Sequence, residues 1–106
     1  MLKKYDHESV DRFDWDERKS ELNLAKHGID FEDAVEIFYG AIILHRSDRY
    51  NEERWIAIGS LGDRLIAVVF TRRAEVIRII SARRARKNEE REYRNAEMGR
   101  PPEGQD

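Results

Sequence analysis

The sequence predicts a small α+β domain, in which a twisted antiparallel sheet packs against two N-terminal helices and one C-terminal helix. Two observations favour this class. Apolar residues recur at helical spacing up to Gly40, and beyond Gly40 the spacing becomes two and β-branched residues dominate. The 106 residues suit one domain. We therefore expect a single domain over residues 13–94, with flexible tails at residues 1–12 and 95–106.

The domain is expected to begin with an optional edge strand and a first helix. Phe13 and Trp15 alternate with acidic residues, which favours a short strand. Residues 16–28 then form a charged helix that ends at Gly28, because glycine is the usual residue at a helix C-terminus. Three apolar residues at helical spacing predict its packed face: Leu22, Ala25 and Ile29.

A second short helix is predicted between Asp30 and Gly40. Asp30 suits its N-cap, because the carboxylate can accept hydrogen bonds from amides of the first turn. Its apolar spacing predicts one buried face, formed by Phe31, Ala34, Val35 and Phe38.

Four strands follow and are expected to form an antiparallel meander, in which the last three strands are joined by short connections and the first two by the longer loop SDRYNEE. They are AIILHR, RWIAIGS, RLIAVVFTR and VIRIISA. The connections at residues 61–63 and 73–75 are short enough only for hairpins. The third strand is apolar on both faces, so it needs cover on both sides and should be central. A weakly apolar helix, from about residue 84 to residue 98, completes the domain.

Composition excludes several kinds of function. Without cysteine the chain has no disulfide, no thiolate zinc site and no cysteine nucleophile. The three histidines have no tight spacing, so no metal site is expected. Phosphate-loop and nucleophile-elbow motifs are absent, and we expect no cofactor. Because no apolar run has the length of a membrane span or the features of a signal peptide, we expect a cytoplasmic protein without membrane contact.

Basic residues are concentrated towards the end of the predicted sheet. Residues 72–87 hold seven Lys or Arg and one Glu, a net charge of +6, whereas residues 1–63 have a net charge of −6. Guanidinium groups match phosphate oxygens, so this segment favours a phosphate or nucleic-acid site. The alternative is that these arginines form weak surface ion pairs with the N-terminal carboxylates.

Lys26 and His27 precede Gly28 at the end of the first helix. An imidazole beside an ammonium group suits proton transfer near an anionic substrate. The alternative is structural, because the helix dipole favours cations in the last helical turn.

Two further groups of residues are expected to line the groove that forms this phosphate or nucleic-acid site. Arg72 and Arg78 are predicted near opposite positions of the last hairpin, with an anion between them because like charges repel. Glu53, Arg54 and Tyr93 supply a carboxylate, a guanidinium and a ring that can stack on a base. The alternative is an edge ion pair for the first two and an anchor of the last helix for Tyr93.

Several segments resemble the BrnT family of ribonuclease toxins from type II toxin-antitoxin systems. They are FDWDERKSELNLAKHGIDFEDAVEIF, EERWIAIG, RLIAVVFTRR and VIRIISARRARKNEEREY, in this order over residues 13–94. The resemblance implies a RelE-like fold and a metal-independent endoribonuclease that cleaves RNA and arrests growth. It also implies a BrnA-like antitoxin with a DNA-binding ribbon-helix-helix part, joined to the toxin in a higher-order complex, so that DNA is contacted only through the antitoxin.

The resemblance and the residues together define an expected site. His27 exchanges protons, with Lys26 or Glu53 as an alternative base, and arginines hold the phosphate, which would give a 2′,3′-cyclic phosphate product. Glu89 also falls on the family pattern, and Arg86 is auxiliary. The expected catalytic residues are Lys26, His27, Arg54, Arg72 and Arg83; the expected RNA contacts are Arg73, Arg78, Arg84, Lys87 and Tyr93.

Two other functions remain open from the sequence. One is a module that binds RNA or DNA without cleaving it. The other is an inactive, structural subunit of an antitoxin repressor complex.

Overall fold

A six-stranded sheet organises the part of the chain described by the structure, a computed structural model covering residues 3–4 and 12–99. The strand order is β1-β3-β4-β5-β6-β2, and all neighbours are antiparallel except β2 and β6. The α+β class, the meander from β3 to β6 and the N-terminal edge strand are confirmed. The strands are β1 (Lys3–Lys4), β2 (Arg12–Asp14), β3 (Ala41–Arg46), β4 (Trp55–Leu61), β5 (Arg64–Arg73) and β6 (Val76–Arg84).

Three α-helices and one 3₁₀ turn within residues 12–99 pack on this sheet. They are α1 (Glu17–His27), α2 (Phe31–Val35), the 3₁₀ turn Glu36–Tyr39 and α3 (Lys87–Glu97). Gly28 ends α1 in the left-handed conformation, with φ of 73°, and its N–H donates to Leu24 O at 2.8 Å. The Asp30 carboxylate accepts a 2.7 Å hydrogen bond from Asp33 N–H at the start of α2. Both predicted helix caps are therefore confirmed.

The last helix begins later than predicted. Arg84 belongs to β6, where it pairs with Ile66 of β5. The Glu89 carboxylate accepts a 2.7 Å hydrogen bond from Arg86 N–H, so α3 is capped just before Lys87.

Strand β5 is central and is buried on both faces, as its apolar sequence predicts. On one face, which we call the α2 face, Ile66, Val68 and Phe70 join the core formed with α2 and the 3₁₀ turn. On the other, the α3 face, Leu65 and Ala67 join a second cluster with Tyr93 of α3. Because α3 covers only part of its face, Ile56, Val69 and Ser81 stay partly accessible. This gap becomes the floor of the candidate site.

The predicted apolar face of α1 is wrong. Leu22 is 60% exposed and Ala25 is exposed, whereas Ser20 and Asn23 are buried; of the predicted three, only Ile29 is buried. The reason is hydrogen bonding to buried backbone. Ser20 Oγ accepts from Phe31 N–H, while the Asn23 amide donates to the carbonyls of Ile29 and Ala82 and accepts from Ala82 N–H.

The Asn23 amide also shows where α1 lies. Strand β2 pairs with β6 only up to Arg78, so backbone groups farther along β6 face an open edge. Asn23 Nδ2 lies 2.8 Å from Ala82 O and Oδ1 lies 3.2 Å from Ala82 N, in place of a neighbouring strand. Buried backbone groups need such partners, which explains a polar residue at this position.

Most residues of the two predicted tails lie outside those described. Within them, Lys3–Lys4 pairs with Ile42 and Ala41 of β3, and α3 continues to Glu97. None of the helices in residues 12–99 is long and apolar enough to span a membrane.

Candidate active site

An open pocket on the α3 face is surrounded by arginines. It encloses about 280 Å³, and its floor consists of Ile56, Val69 and Ser81, which are paired neighbours on β4, β5 and β6. The rim holds one cation from the β3–β4 loop, one just before β4, one on β6 and one just before α3. We call it the arginine pocket, after its rim residues Arg49, Arg54, Arg83 and Arg86.

Arg83 is the most firmly held of these arginines. Its two terminal nitrogens donate to the two carboxylate oxygens of Glu89, at 2.7 and 3.0 Å. The side chains are only 20% and 10% exposed. A bidentate contact fixes the plane of a guanidinium group as well as its position. The first turn of α3 therefore holds Arg83 in a fixed orientation at the pocket.

Arg54 is positioned by contacts of the two residues that precede it. Thr71 Oγ1 donates to Glu53 O at 2.8 Å, which ties the approach to β4 onto β5. Arg54 Nε donates to Glu52 Oε1 at 2.9 Å, and the side chain is 23% exposed. A guanidinium has five N–H donors, so this contact leaves others directed at the pocket.

The pKa of Glu89 lies below its ordinary value of 4.5. Burial favours the neutral acid, but hydrogen bonds from the Arg83 guanidinium and from Arg86 N–H, with the charges of both arginines, outweigh it. Glu89 is therefore ionised at neutral pH and keeps the ion pair with Arg83.

This pKa shift predicts a pH dependence of stability. The ionised form is favoured in the folded state, so the stabilisation is present above the unfolded-state pKa and is lost as the pH falls through the lower folded-state pKa. The melting temperature of the wild type should fall more steeply below about pH 4.5 than that of Glu89→Gln. Thermal unfolding of both proteins across this range measures the difference, and parallel curves would contradict the prediction.

Arg72 and Glu53, two of the expected site residues, lie on the opposite face of the sheet. They line a cavity of about 420 Å³ together with Leu44, Trp55, Phe70 and Ala74. Successive strand residues alternate between faces, so Trp55 faces this cavity while Ile56 faces the arginine pocket. Glu53 pairs with Arg46 at 3.3 Å. The structure therefore does not bring Arg72 and Glu53 together with Arg83.

The expected pairing of Arg72 with Arg78 is wrong. The hairpin closes with a two-residue turn, so Arg72 pairs with Ile77 and Arg78 pairs with Thr71. The two arginines point to opposite faces, and no anion can lie between them. Arg78 instead forms a 2.6 Å ion pair with Asp14 of β2, which matches the surface ion pair considered as the alternative.

Lys26 and His27 lie in the last turn of α1. Asn23, one helical turn before His27, bonds Ala82, which precedes Arg83 on β6. Neither Lys26 nor His27 lines the arginine pocket, and two residues after His27 the chain enters the α2-face core at Ile29. His27 is half-buried, and Lys26 is exposed.

The other expected RNA contacts are spread around the site. Tyr93 is 4% exposed, and its hydroxyl donates to Ala41 O at 2.9 Å, so its environment is that of an aromatic anchor for α3. Arg84 and Lys87 are exposed and flank the pocket residue Arg86. Arg73 is exposed on the last hairpin, 3.7 Å from Glu52.

Of the four rim arginines, one was not found from the sequence and one was given only an auxiliary place. Arg49 lies in the loop between β3 and β4, where no periodicity places a side chain, and Arg86 lies between β6 and α3. Only the folded loop shows that Arg49 and Arg83 share a pocket. Within residues 12–99, no three His, Asp or Glu side chains lie close enough together to hold a metal ion.

Comparison with known protein families gives a match over most of the chain. The model of a family described as "Ribonuclease toxin, BrnT, of type II toxin-antitoxin system" matches residues 15–89. This span contains α1, the meander and every residue of the arginine pocket. No curated protein matches the sequence significantly.

Proposed function

Because the chain belongs to the BrnT family of ribonuclease toxins of type II toxin-antitoxin systems, we propose that it is a metal-independent endoribonuclease whose active site is the arginine pocket. The observation that carries this proposal is the set of four arginines around an accessible part of the sheet, one of them fixed by a carboxylate. Such a surface attracts a phosphodiester and holds it in one orientation.

The proposed reaction uses the 2′-hydroxyl of the RNA as its own nucleophile. A base takes the 2′-hydroxyl proton, the oxygen attacks the adjacent phosphorus, and the P–O5′ bond breaks as the leaving oxygen is protonated. The products are a 2′,3′-cyclic phosphate and a 5′-hydroxyl. Negative charge grows on the phosphate oxygens in the transition state, and the proposed role of Arg54 and Arg83 is to stabilise this charge. An internal nucleophile needs no metal-activated water, which supports metal independence.

His27 is the proposed proton carrier, with Lys26 as the alternative. Imidazole can both accept and donate a proton near neutral pH, which the two halves of this reaction require. Support comes from Asn23, one helical turn before His27, whose amide bonds Ala82, the residue that precedes Arg83 on β6. Because Glu53 and Arg72 line the opposite face, the geometry favours Arg86 over Arg72 as the third phosphate contact.

Type II toxins act with a protein antitoxin. We propose a BrnA-like partner whose acidic or amphipathic segment neutralises the arginine pocket, with opposite charges speeding the encounter. A ribbon-helix-helix antitoxin dimerises and binds DNA, so it would join two toxin copies in a higher-order complex at an operator. In this proposal the protein acts in the cytoplasm and RNA is its substrate.

Induction of the gene without an antitoxin tests the proposal. The wild type should arrest growth and deplete total RNA on a gel, whereas Lys26→Ala/His27→Ala should do neither. Arg94→Ala is the matched control, because Arg94 is exposed and pairs with Glu97 away from the pocket; it should behave as wild type. Purified wild type should leave an all-2′-deoxy oligonucleotide intact.

Other outcomes would favour the other functions. If Lys26→Ala/His27→Ala arrests growth as wild type does, Lys26 and His27 do not transfer the proton. If the wild type binds RNA yet cleaves none, the protein is a binding module. If it neither binds RNA nor arrests growth, it is a structural subunit of the antitoxin complex.

A further inference from the structure

We propose that Tyr50 and Arg49 form a stacking site for one unpaired nucleobase of the RNA, next to the arginine pocket. This inference rests on the proposed function, since it extends the path of the same RNA strand. It assigns a role to Tyr50, which neither the sequence patterns nor the proposed reaction uses.

The β3–β4 loop presents Tyr50 at its tip. Arg49 N–H donates to Glu52 O at 3.0 Å and Glu52 N–H donates to Arg49 O at 2.8 Å, which closes a two-residue hairpin. Both central residues have positive φ, 52° at Tyr50 and 61° at Asn51. The turn directs the Tyr50 side chain away from the core, and the residue is 85% exposed.

A tyrosine at this position contributes little to the stability of the fold. Left-handed backbone favours glycine, asparagine and aspartate, so Asn51 suits the turn and Tyr50 does not. An aromatic ring with almost all of its surface in water also contributes little hydrophobic stabilisation. Strain retained at a solvent-exposed residue indicates a role outside folding.

Arg49 connects the ring to the pocket. Its guanidinium carbon lies 5.5 Å from the centroid of the Tyr50 ring. The same side chain lines the arginine pocket beside Arg54, Arg83 and Arg86. Tyr50 itself lines a second open pocket, together with Asp48 and Glu52, and Arg49 lines both pockets. An RNA strand with its phosphate in the arginine pocket therefore meets the Tyr50 ring across Arg49.

The chemistry of this surface fits a nucleobase. Unpaired bases stack on tyrosine rings and on arginine planes, and every base has a face that can do so. A phosphate site adjoining a stacking site is the usual arrangement for single-stranded nucleic acid. Tyr50 would thus hold the strand in register while the pocket holds the scissile phosphate.

Tyr50→Gly is the decisive variant, because glycine adopts the left-handed turn without strain while removing the ring. Its melting temperature should equal or exceed that of wild type. Its dissociation constant for a fluorescent 2′-O-methyl RNA oligonucleotide, which has no free 2′-hydroxyl and so resists cleavage, should rise about tenfold. Tyr50→Phe keeps the ring and should bind within about twofold of wild type.

A series of oligonucleotides, each lacking one base, locates the contact. The affinity of wild type should fall about tenfold for the oligonucleotide that lacks one particular base, whereas the affinity of Tyr50→Gly should be the same with and without that base. Equal affinity of wild type and Tyr50→Gly for the intact RNA would overturn the inference. So would an unchanged RNA affinity combined with weaker antitoxin binding, since Tyr50 would then be a protein contact.

The same measurements separate this inference from the proposed function. If wild type cleaves RNA and Tyr50→Gly cleaves and binds equally well, only the stacking site is wrong. If both proteins bind RNA with the expected difference and neither cleaves it, the stacking site stands and the ribonuclease proposal fails. If the wild type binds no RNA, both the stacking site and the ribonuclease proposal are wrong.

Discussion

Arg83→Ala should lower the rate of RNA cleavage by a factor of at least about one hundred, because losing one fixed donor to a charged transition state has this effect in other enzymes. Arg83 is the pocket arginine held at two points, by both carboxylate oxygens of Glu89. Its charge is therefore already oriented when negative charge grows on the phosphate. Initial cleavage rates of an end-labelled RNA, at equal protein concentration, measure the loss.

Two variants separate the loss of charge stabilisation from a loss of folding. Arg83→Ala leaves the Glu89 carboxylate, 10% exposed, without its guanidinium partner, which is destabilising. Arg83→Ala/Glu89→Gln removes this buried charge while the amide oxygen can still accept from Arg86 N–H. The double variant should regain thermal stability without regaining activity.

Arg83→Lys tests the geometry of the group. A lysine keeps the charge but cannot make the bidentate contact, so it should recover only a small part of the rate. Arg94→Ala, which removes an exposed arginine far from the pocket, should cleave within about twofold of wild type because exposed ion pairs contribute little. Cleavage by Arg83→Ala within threefold of wild type would, by contrast, exclude Arg83 from the phosphate site.

The sheet could be predicted from the sequence because its determinants are local. Period-two runs of β-branched residues mark the four meander strands, and the two connections among the last three strands are too short for any other order. The helix caps at Gly28 and Asp30 are local as well. Each of these features depends on residues that are close together in the chain.

The site was harder to predict, because its residues meet only through register and loop folding. A two-residue turn decides that Arg72 and Arg78 lie on opposite faces, and a register shift between Val69 and Phe70 changes the alternation along β6. Arg49 reaches the pocket only because its loop closes as a tight hairpin. Charge counting located the basic segment but could not assign its arginines to a face.

The buried face of α1 was predicted wrongly for the same reason, because the bonding partners of Asn23 meet it only in the folded chain. These hydrogen bonds predict that replacing Asn23 has a large effect on stability. Asn23→Leu would give α1 the apolar residue that helical periodicity favours, yet it should destabilise the protein by about 3 kcal/mol or more. The substitution leaves the Ile29 and Ala82 carbonyls and Ala82 N–H without the bonds that Asn23 supplies. Urea unfolding measures the free energy of unfolding.

Leu22→Asn is the matched control on the same helix. Leu22 is 60% exposed, so this change should alter the free energy of unfolding by less than about 0.5 kcal/mol. If the two variants were equally stable, the hydrogen bonds of Asn23 would not be what holds α1 at the edge of β6.

Asn23 also links stability to the proposed chemistry. Its bonds to Ala82 fix α1 beside β6, and Lys26 and His27 follow one turn later on the same helix. In the fraction of Asn23→Leu that remains folded, cleavage should therefore fall further than it does in a protein equally destabilised elsewhere. Ile42→Ala in the core of the α2 face provides that comparison, since Ile42 lies on β3 and its truncation removes packing without touching the bonds of Asn23. Equal specific activity of the two folded proteins would show that the position of α1 does not matter for cleavage.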